Sequence, residues 1–262
     1  MRSVFITFIL LNSFLFALSG EKVFKQKCAS CHQYYVPQNK IIANAKHDNK
    51  DLNLTAPTLT EMSFMIKDQV GDRALDAEGQ KFQIEEWLTD YLNAPTRDKG
   101  VLPDEFTRFF EVMPSMKGQL DEDEVEALTD FIYGYSEKMT VAHSVKRYSY
   151  EEAKKIAKKQ NKIILIEGYI SFCRGCIRMD REVMVEDKVK EALNKDFVFV
   201  KKNFLIEKLP LGIKHLGTPS FYFINSDGDK VIEMVQGFGT ADEFLELLEN
   251  VKKMAETKHK GE

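Results

Sequence analysis

Lys162-Ile163-Ile164-Leu165-Ile166-Glu167, followed six residues on by Cys173-Arg174-Gly175-Cys176, is the stretch from which the architecture is read. A short unbroken apolar run predicts a buried strand, and the cysteines beyond it lie where that strand gives way to a helix. On either side of it, Tyr150 to Gln160 reads as a helix and Phe197 to Val200 as a strand. Ser220 to Asn225 and Val231 to Gln236 read as strands flanking a turn at Ser226-Asp227-Gly228-Asp229, and Ala241 to Met254 as a closing helix. Helices alternating with strands predict an α/β domain over 150–262. Residues 20–138 carry helical signals only: a short helix leading to Cys28, one around Ile84 to Asn93 and one from Glu122 to about Ser136. The last has a capping box, Asp121 with Glu124 three residues on, and Val125, Leu128, Ile132 and Tyr135 along one face. The expected fold class is therefore two domains, an all-α unit followed by an α/β unit, with residues 139–149 as a linker.

The composition narrows the partners. The chain of 262 residues is long enough for two domains, and its net charge of −4 with no basic stripe excludes nucleic acid as an expected partner. Charge divides with the fold, 14 Lys and Arg against 22 Asp and Glu over 20–140, and 22 against 19 over 141–262, so opposite signs could weakly orient the halves. At the N-terminus, Arg2 precedes an apolar run from Val4 to Leu18 that ends in the small residues Ala17 and Ser19. The run is shorter than the roughly 20 residues of a membrane helix. It predicts a signal peptide over 1–19 cleaved after Ser19, an exported, periplasmic mature chain and no stable membrane span, with an uncleaved anchor as the weaker reading.

Four cysteines form two close pairs. Cys28-Ala29-Ser30-Cys31-His32 is the C-x-x-C-H arrangement, in which two thiols add to the vinyl groups of a haem and the next imidazole stands under the iron. It predicts one covalently bound haem c; a zinc half-site would need two further ligands, and a plain disulfide is the other bland reading. The second axial position decides between electron transfer and ligand chemistry. Met113, held extended in a loop by Pro114 and placed before the capped helix, is the candidate, with Met116, Met62, Met65 and His47 as competitors. Trp87 and Tyr91, four apart, could pack on the haem or serve as ordinary core. With these residues, the stretch from 21 to 138 resembles the class I cytochromes c, whose methionine ligand stands in such a Met-Pro loop. That resemblance implies that Pro57, in Thr55-Ala56-Pro57-Thr58-Leu59, offers its carbonyl to the ligand histidine, an interaction that fixes the imidazole. The long segment between Pro57 and Met113 departs from the family pattern.

Cys173, at the start of a helix, is the expected nucleophile, because amides there stabilise a thiolate; Arg174 adds positive potential, and Arg178 and Arg181 are as well read as solvated surface. With Gly217-Thr218-Pro219, the strand pair turning at Asp227-Gly228, Gly237 and the terminal helix, residues 150–256 resemble the thioredoxin superfamily, most of all exported members with an aromatic residue, here Phe172, before the first cysteine. The resemblance implies a cis proline at Pro219 beside the dithiol, and at Glu167 the buried carboxylate that helps deprotonate the second cysteine, Cys176. An exposed strand-end glutamate is the alternative. Zinc or a permanently closed disulfide are the alternatives for the pair, and His215 is the histidine near enough to influence it.

Together these features predict an exported thiol-disulfide oxidoreductase that exchanges electrons between the C-x-x-C dithiol and a c-type haem or its redox partners. Expected partners are exported proteins with thiols or disulfides and a cytochrome or other electron carrier. Typical potentials favour flow from dithiol to haem, although two electrons leave a dithiol and one haem accepts one. The alternatives are a non-enzymatic cytochrome carrier with a thioredoxin-like docking module, and a thiol-reducing maturation factor.

Overall fold

The computed structural model describes residues 18–259 apart from 73, 171, 172 and 238. Nearly all of the expected signal segment, and Phe172, lie outside the described residues.

The helical half begins with α1 (Gly20–Lys27), α2 (Gln38–Lys46), α3 (Leu59–Gln69) and α4 (Ala77–Asn93). It continues with the single turn α5 (Asp104–Thr107), then α6 (Glu122–Tyr133) and α7 (Tyr135–His143). Its core gathers Val23 and Phe24 of α1, Leu59 and Ile66 of α3, Ile84 and Leu88 of α4, and Val125, Leu128 and Ile132 of α6. α1 crosses α6 closely because Gly20 has no side chain: a Cβ there would meet the Ala127 carbonyl. The capping box of α6 forms, with the Asp121 carboxylate accepting the Glu124 amide at 2.8 Å. The helix expected to run to about Ser136 divides at Gly134. The buried Ser63 bridges the break, its hydroxyl donating to the Ile132 carbonyl and accepting from the Ser136 amide.

The second half holds α8 (Tyr150–Gln160), β1 (Ile163–Tyr169), α9 (Arg174–Arg178) and a π-helical turn (Met179–Val183). After these come α10 (Asp187–Asp196), β2 (Phe197–Asn203), β3 (Ser220–Ile224), β4 (Val231–Gln236) and α11 (Ala241–His259). The four strands form one mixed sheet in the order β2-β1-β3-β4, with β1 parallel to β2 and antiparallel to β3. Both faces are covered. Ile163, Leu165, Phe197, Phe199, Phe221 and Phe223 pack beneath α10 and α11, while Ile164, Ile166, Val198, Val200 and Tyr222 pack beneath α8. Strands buried on both faces read as unbroken apolar runs, which is why they were legible.

The stretch 139–149, expected as a linker, begins inside α7 and ends docked on the sheet edge, where the Tyr148 amide donates to the Phe199 carbonyl at 3.0 Å. α2, α3, α5 and α10 had no counterpart in the sequence reading.

Candidate functional site

The end of β1, the start of α9 and the start of β3 converge on the second cysteine pair. Cys173 and Cys176 form a disulfide with a Cα–Cα separation of 5.2 Å. Cys173 caps α9, and its Sγ accepts the Cys176 amide at 3.1 Å. That donor favours negative charge on Cys173 sulfur once the pair is opened. Cys173 is half-buried and Cys176 buried, so a partner sulfur reaches the first and not the second. The Thr218–Pro219 peptide is cis, with Pro219 buried at the head of β3.

Glu167 lies fully buried on β1. Burial pushes its carboxyl up to about 7, partly offset by Lys201 and reinforced by Asp180. Lys201 Nζ, on the neighbouring position of β2, donates to Glu167 Oε1 at 3.1 Å and to both carboxylate oxygens of Asp180 at 2.6 Å. Arg147 reaches the same aspartate at 3.2 Å. The second oxygen of Glu167 is buried with no hydrogen-bond partner among the described residues, free to accept a proton. Asp180 lies in the π-helical turn four residues after Cys176, so Lys201 ties Glu167 to the segment that follows the dithiol. Lys201, Asp180 and Arg147 were missed by sequence reasoning; two lysines closing an apolar strand, Lys201-Lys202, were the available signal.

Beyond β2 the chain makes a long excursion over 204–218, leaving Leu205, Ile206, Leu211 and Leu216 exposed on the approach to Pro219. His215 is exposed and stacks on Phe204. Arg174 and Arg178 are exposed, but Arg181 is buried, at 9% exposure, against the helical half.

In the helical half, Cys28 and Cys31 follow α1 as free thiols, Cys28 half-buried beside the core and Cys31 exposed. His32 Nδ1 lies 2.7 Å from the Pro57 carbonyl oxygen; a carbonyl can only accept, so Nδ1 carries the proton and Nε2 is left as the lone-pair donor. Burial holds the imidazole below its ordinary pKa, opposed by that bond, and so favours the neutral, ligating form. Met113, Met116 and Met62 pack on the same cluster as Cys28, together with Trp87. Trp87 and Tyr91 stack on each other at 5.1 Å. Met65 instead faces the boundary between the halves, and His47 is exposed and paired with Asp51. Two thiols three apart, a neutral imidazole with its tautomer set and nearby thioether sulfurs are a donor set that fits a covalently attached haem. No group of three or more His, Cys, Asp or Glu placed to hold a metal ion occurs among the described residues.

A family model described as a thioredoxin-like domain matches residues 150–252, and this part of the chain is a thioredoxin-like domain. An uncharacterized protein of Aquifex aeolicus (strain VF5) is 29% identical over 117 residues, 44% of this chain and 71% of that protein. Among solved structures, the chain is similar to a DsbH oxidoreductase, with 20% identity over 42% of this chain and 85% of that chain and a TM-score of 0.37. It is also similar to a thioredoxin from Thermus thermophilus, with 21% identity over 43% and 90% and a TM-score of 0.37. The reduced C-terminal domain of DsbD from Neisseria meningitidis matches at 22% identity over 38% and 91%, with a TM-score of 0.30.

Proposed function

We propose that this chain is an exported, periplasmic thiol-disulfide oxidoreductase in which a thioredoxin-like domain is joined to a class I cytochrome c-type helical unit carrying one haem c. The observation that carries the reading is the Cys173–Cys176 disulfide, with the Cys176 amide on Cys173 sulfur and the buried Glu167–Lys201 pair on β1 and β2. In the reducing direction, Cys173 thiolate attacks a partner disulfide, forming a mixed disulfide and expelling one partner thiolate. Cys176, losing its proton to the buried Glu167 carboxylate, then attacks Cys173 sulfur. The internal disulfide closes, the second partner thiolate leaves, and two electrons have passed to the partner. Oxidation of a partner dithiol is the same sequence reversed. The exposed leucines and isoleucine before Pro219 provide an apolar seat for such partners.

Cys28, Cys31, His32 and Met113 would hold the haem, and when bound it would supply one-electron exchange with a cytochrome or other carrier. The chain's own part is to fix His32 through Pro57 and to keep the surroundings apolar. Among the described residues no helix is long and apolar enough to cross a membrane.

Two measurements test the reading. Insulin-disulfide reduction should be present in the wild type and absent in Cys173→Ser, while Cys176→Ser should accumulate a mixed disulfide visible as a gel shift reversed by dithiothreitol. A pair that dithiothreitol cannot open would leave the domain as a docking module. Denatured protein made in a cytochrome-maturing host should retain haem absorbance, and Cys28→Ser together with Cys31→Ser should lose it.

A further inference from the structure

Arg181 leaves the thioredoxin-like domain immediately after the dithiol helix and is buried in the helical half. Ile177 and Arg181, four and eight residues beyond Cys173, both face the helical half. Ile177 and Arg181 wall one side of a cleft of about 260 Å³, and Phe64 and Met65 of α3 wall the other. The Arg181 guanidinium lies 3.6 Å from the centre of the Phe64 ring, and its Nη2 donates to Gln38 Oε1 at 2.8 Å. A guanidinium over an aromatic face is strongly held once desolvated. Asn39 extends the contact by donating to Glu186 Oε1 at 2.6 Å.

Arg181 is received in part by α3, the helix whose first turn is bonded to the segment that follows the first cysteine pair. Glu61 of α3, itself buried, is a charge partner of Arg181, and its Oε2 accepts the Thr58 amide and hydroxyl at 3.0 Å each. Thr58 follows Pro57, whose carbonyl takes His32. The same turn grips the Cys28–His32 loop at further points. The Thr55 hydroxyl donates to the Cys31 carbonyl at 2.8 Å, the Leu59 amide to the Gln33 carbonyl at 2.8 Å, and the Thr60 hydroxyl to the Tyr34 carbonyl at 2.9 Å. α3 is thus bonded at its first turn to the segment around His32, and meets the segment that follows Cys176 through the Phe64 ring and the charge of Glu61.

We propose that Arg181 is a positioning residue that couples the Cys173–Cys176 pair to the Cys28–His32 loop through α3, so that the state of the dithiol is felt at His32 and the reverse. The proposal rests on the reading of Cys173–Cys176 as redox-active. Opening the disulfide replaces a covalent S–S bond at the start of α9 by two thiols that must stand farther apart, and close-packed interiors transmit such a shift instead of absorbing it. Reciprocity follows from linkage.

The test is hydrogen–deuterium exchange on the full chain over residues 31–36 and 57–66, before and after the disulfide is opened. Dithiothreitol opens it by passing two electrons to the pair and leaving as its own cyclic disulfide. In the wild type, opening the pair should change exchange in these segments by about fivefold or more, the low end of coupling between sites. In Arg181→Met the redox-dependent difference should vanish even if absolute protection also falls. Gln38→Leu and Phe64→Leu, acting from the opposite side, should each reduce it should Arg181→Met fail to fold. A wild-type pair that opens without changing these segments, or a difference that persists in the folded variants, overturns the coupling alone. A pair that dithiothreitol cannot open overturns the redox reading and the coupling with it.

Discussion

A carboxyl group sealed between strands, with one oxygen on a lysine and the other unpartnered, is held ready to change charge. Burial raises Glu167 from 4.5 to about 7. Between those pH values the folded chain keeps a proton that the unfolded chain has released, so unfolding becomes more favourable as pH rises. Wild type should therefore lose stability relative to Glu167→Gln from about pH 4.5 to about pH 7, by of the order of 2 kcal/mol. Urea unfolding of both proteins at pH 5 and pH 8 measures this, and parallel pH dependences would show that Glu167 does not titrate in that range. If Glu167 takes the Cys176 proton, Glu167→Gln should also slow disulfide reduction at neutral pH by about a hundredfold, the lower end for a positioned proton-transfer group. The alternative of an exposed strand-end glutamate fails because β1 is covered on both faces and Lys201 closes over the carboxylate.

Helices with a clean apolar stripe were legible and those with mixed faces were not. α6 shows Val125, Leu128 and Ile132 at helical spacing after its capping box. α3 instead buries Thr60, Glu61 and Ser63 beside Leu59 and Ile66, because Thr60 and Ser63 bond to the distant Tyr34 and Ile132 and Glu61 bonds to the helix's own N-cap, Thr58. A periodicity of hydrophobic residues cannot register such positions. The packing of α1 on α6 makes a sharper prediction. Gly20→Ala puts a methyl group against the Ala127 carbonyl and should destabilise the helical half by about 1–3 kcal/mol, as overpacking does. Thermal unfolding followed at Trp87, in the helical half, would report it, and an unchanged midpoint would mean that α1 shifts freely on α6.

For the whole molecule, the sequence's opposite charges suggested a weak electrostatic attraction between the halves. The contacts that join them are buried or half-buried: Arg181 on Phe64 and Gln38 with the buried Glu61 as its charge partner, and Asn39 on Glu186. Desolvated contacts are screened far less than exposed charges. Raising ionic strength to about 1 M, where the screening length is about 3 Å, should leave exchange protection at 38–42 and 177–182 unchanged. Loss of protection in salt would assign the joint to surface charge.

From residue order alone came the division into a helical and an α/β half, the two cysteine pairs, the strands of the sheet and the dithiol's place at a helix start. Those properties are local: covalent spacing and runs of apolar residues survive in a one-dimensional string. Tertiary structure decided that Arg181, as readily read as solvated surface, is buried, and that Lys201 and Asp180 close on Glu167. It also decided that the linker docks on the sheet edge and that α3 touches both cysteine-bearing segments. Each of these depends on groups distant in sequence meeting where water is excluded, and burial and pairing exist only once the chain has folded.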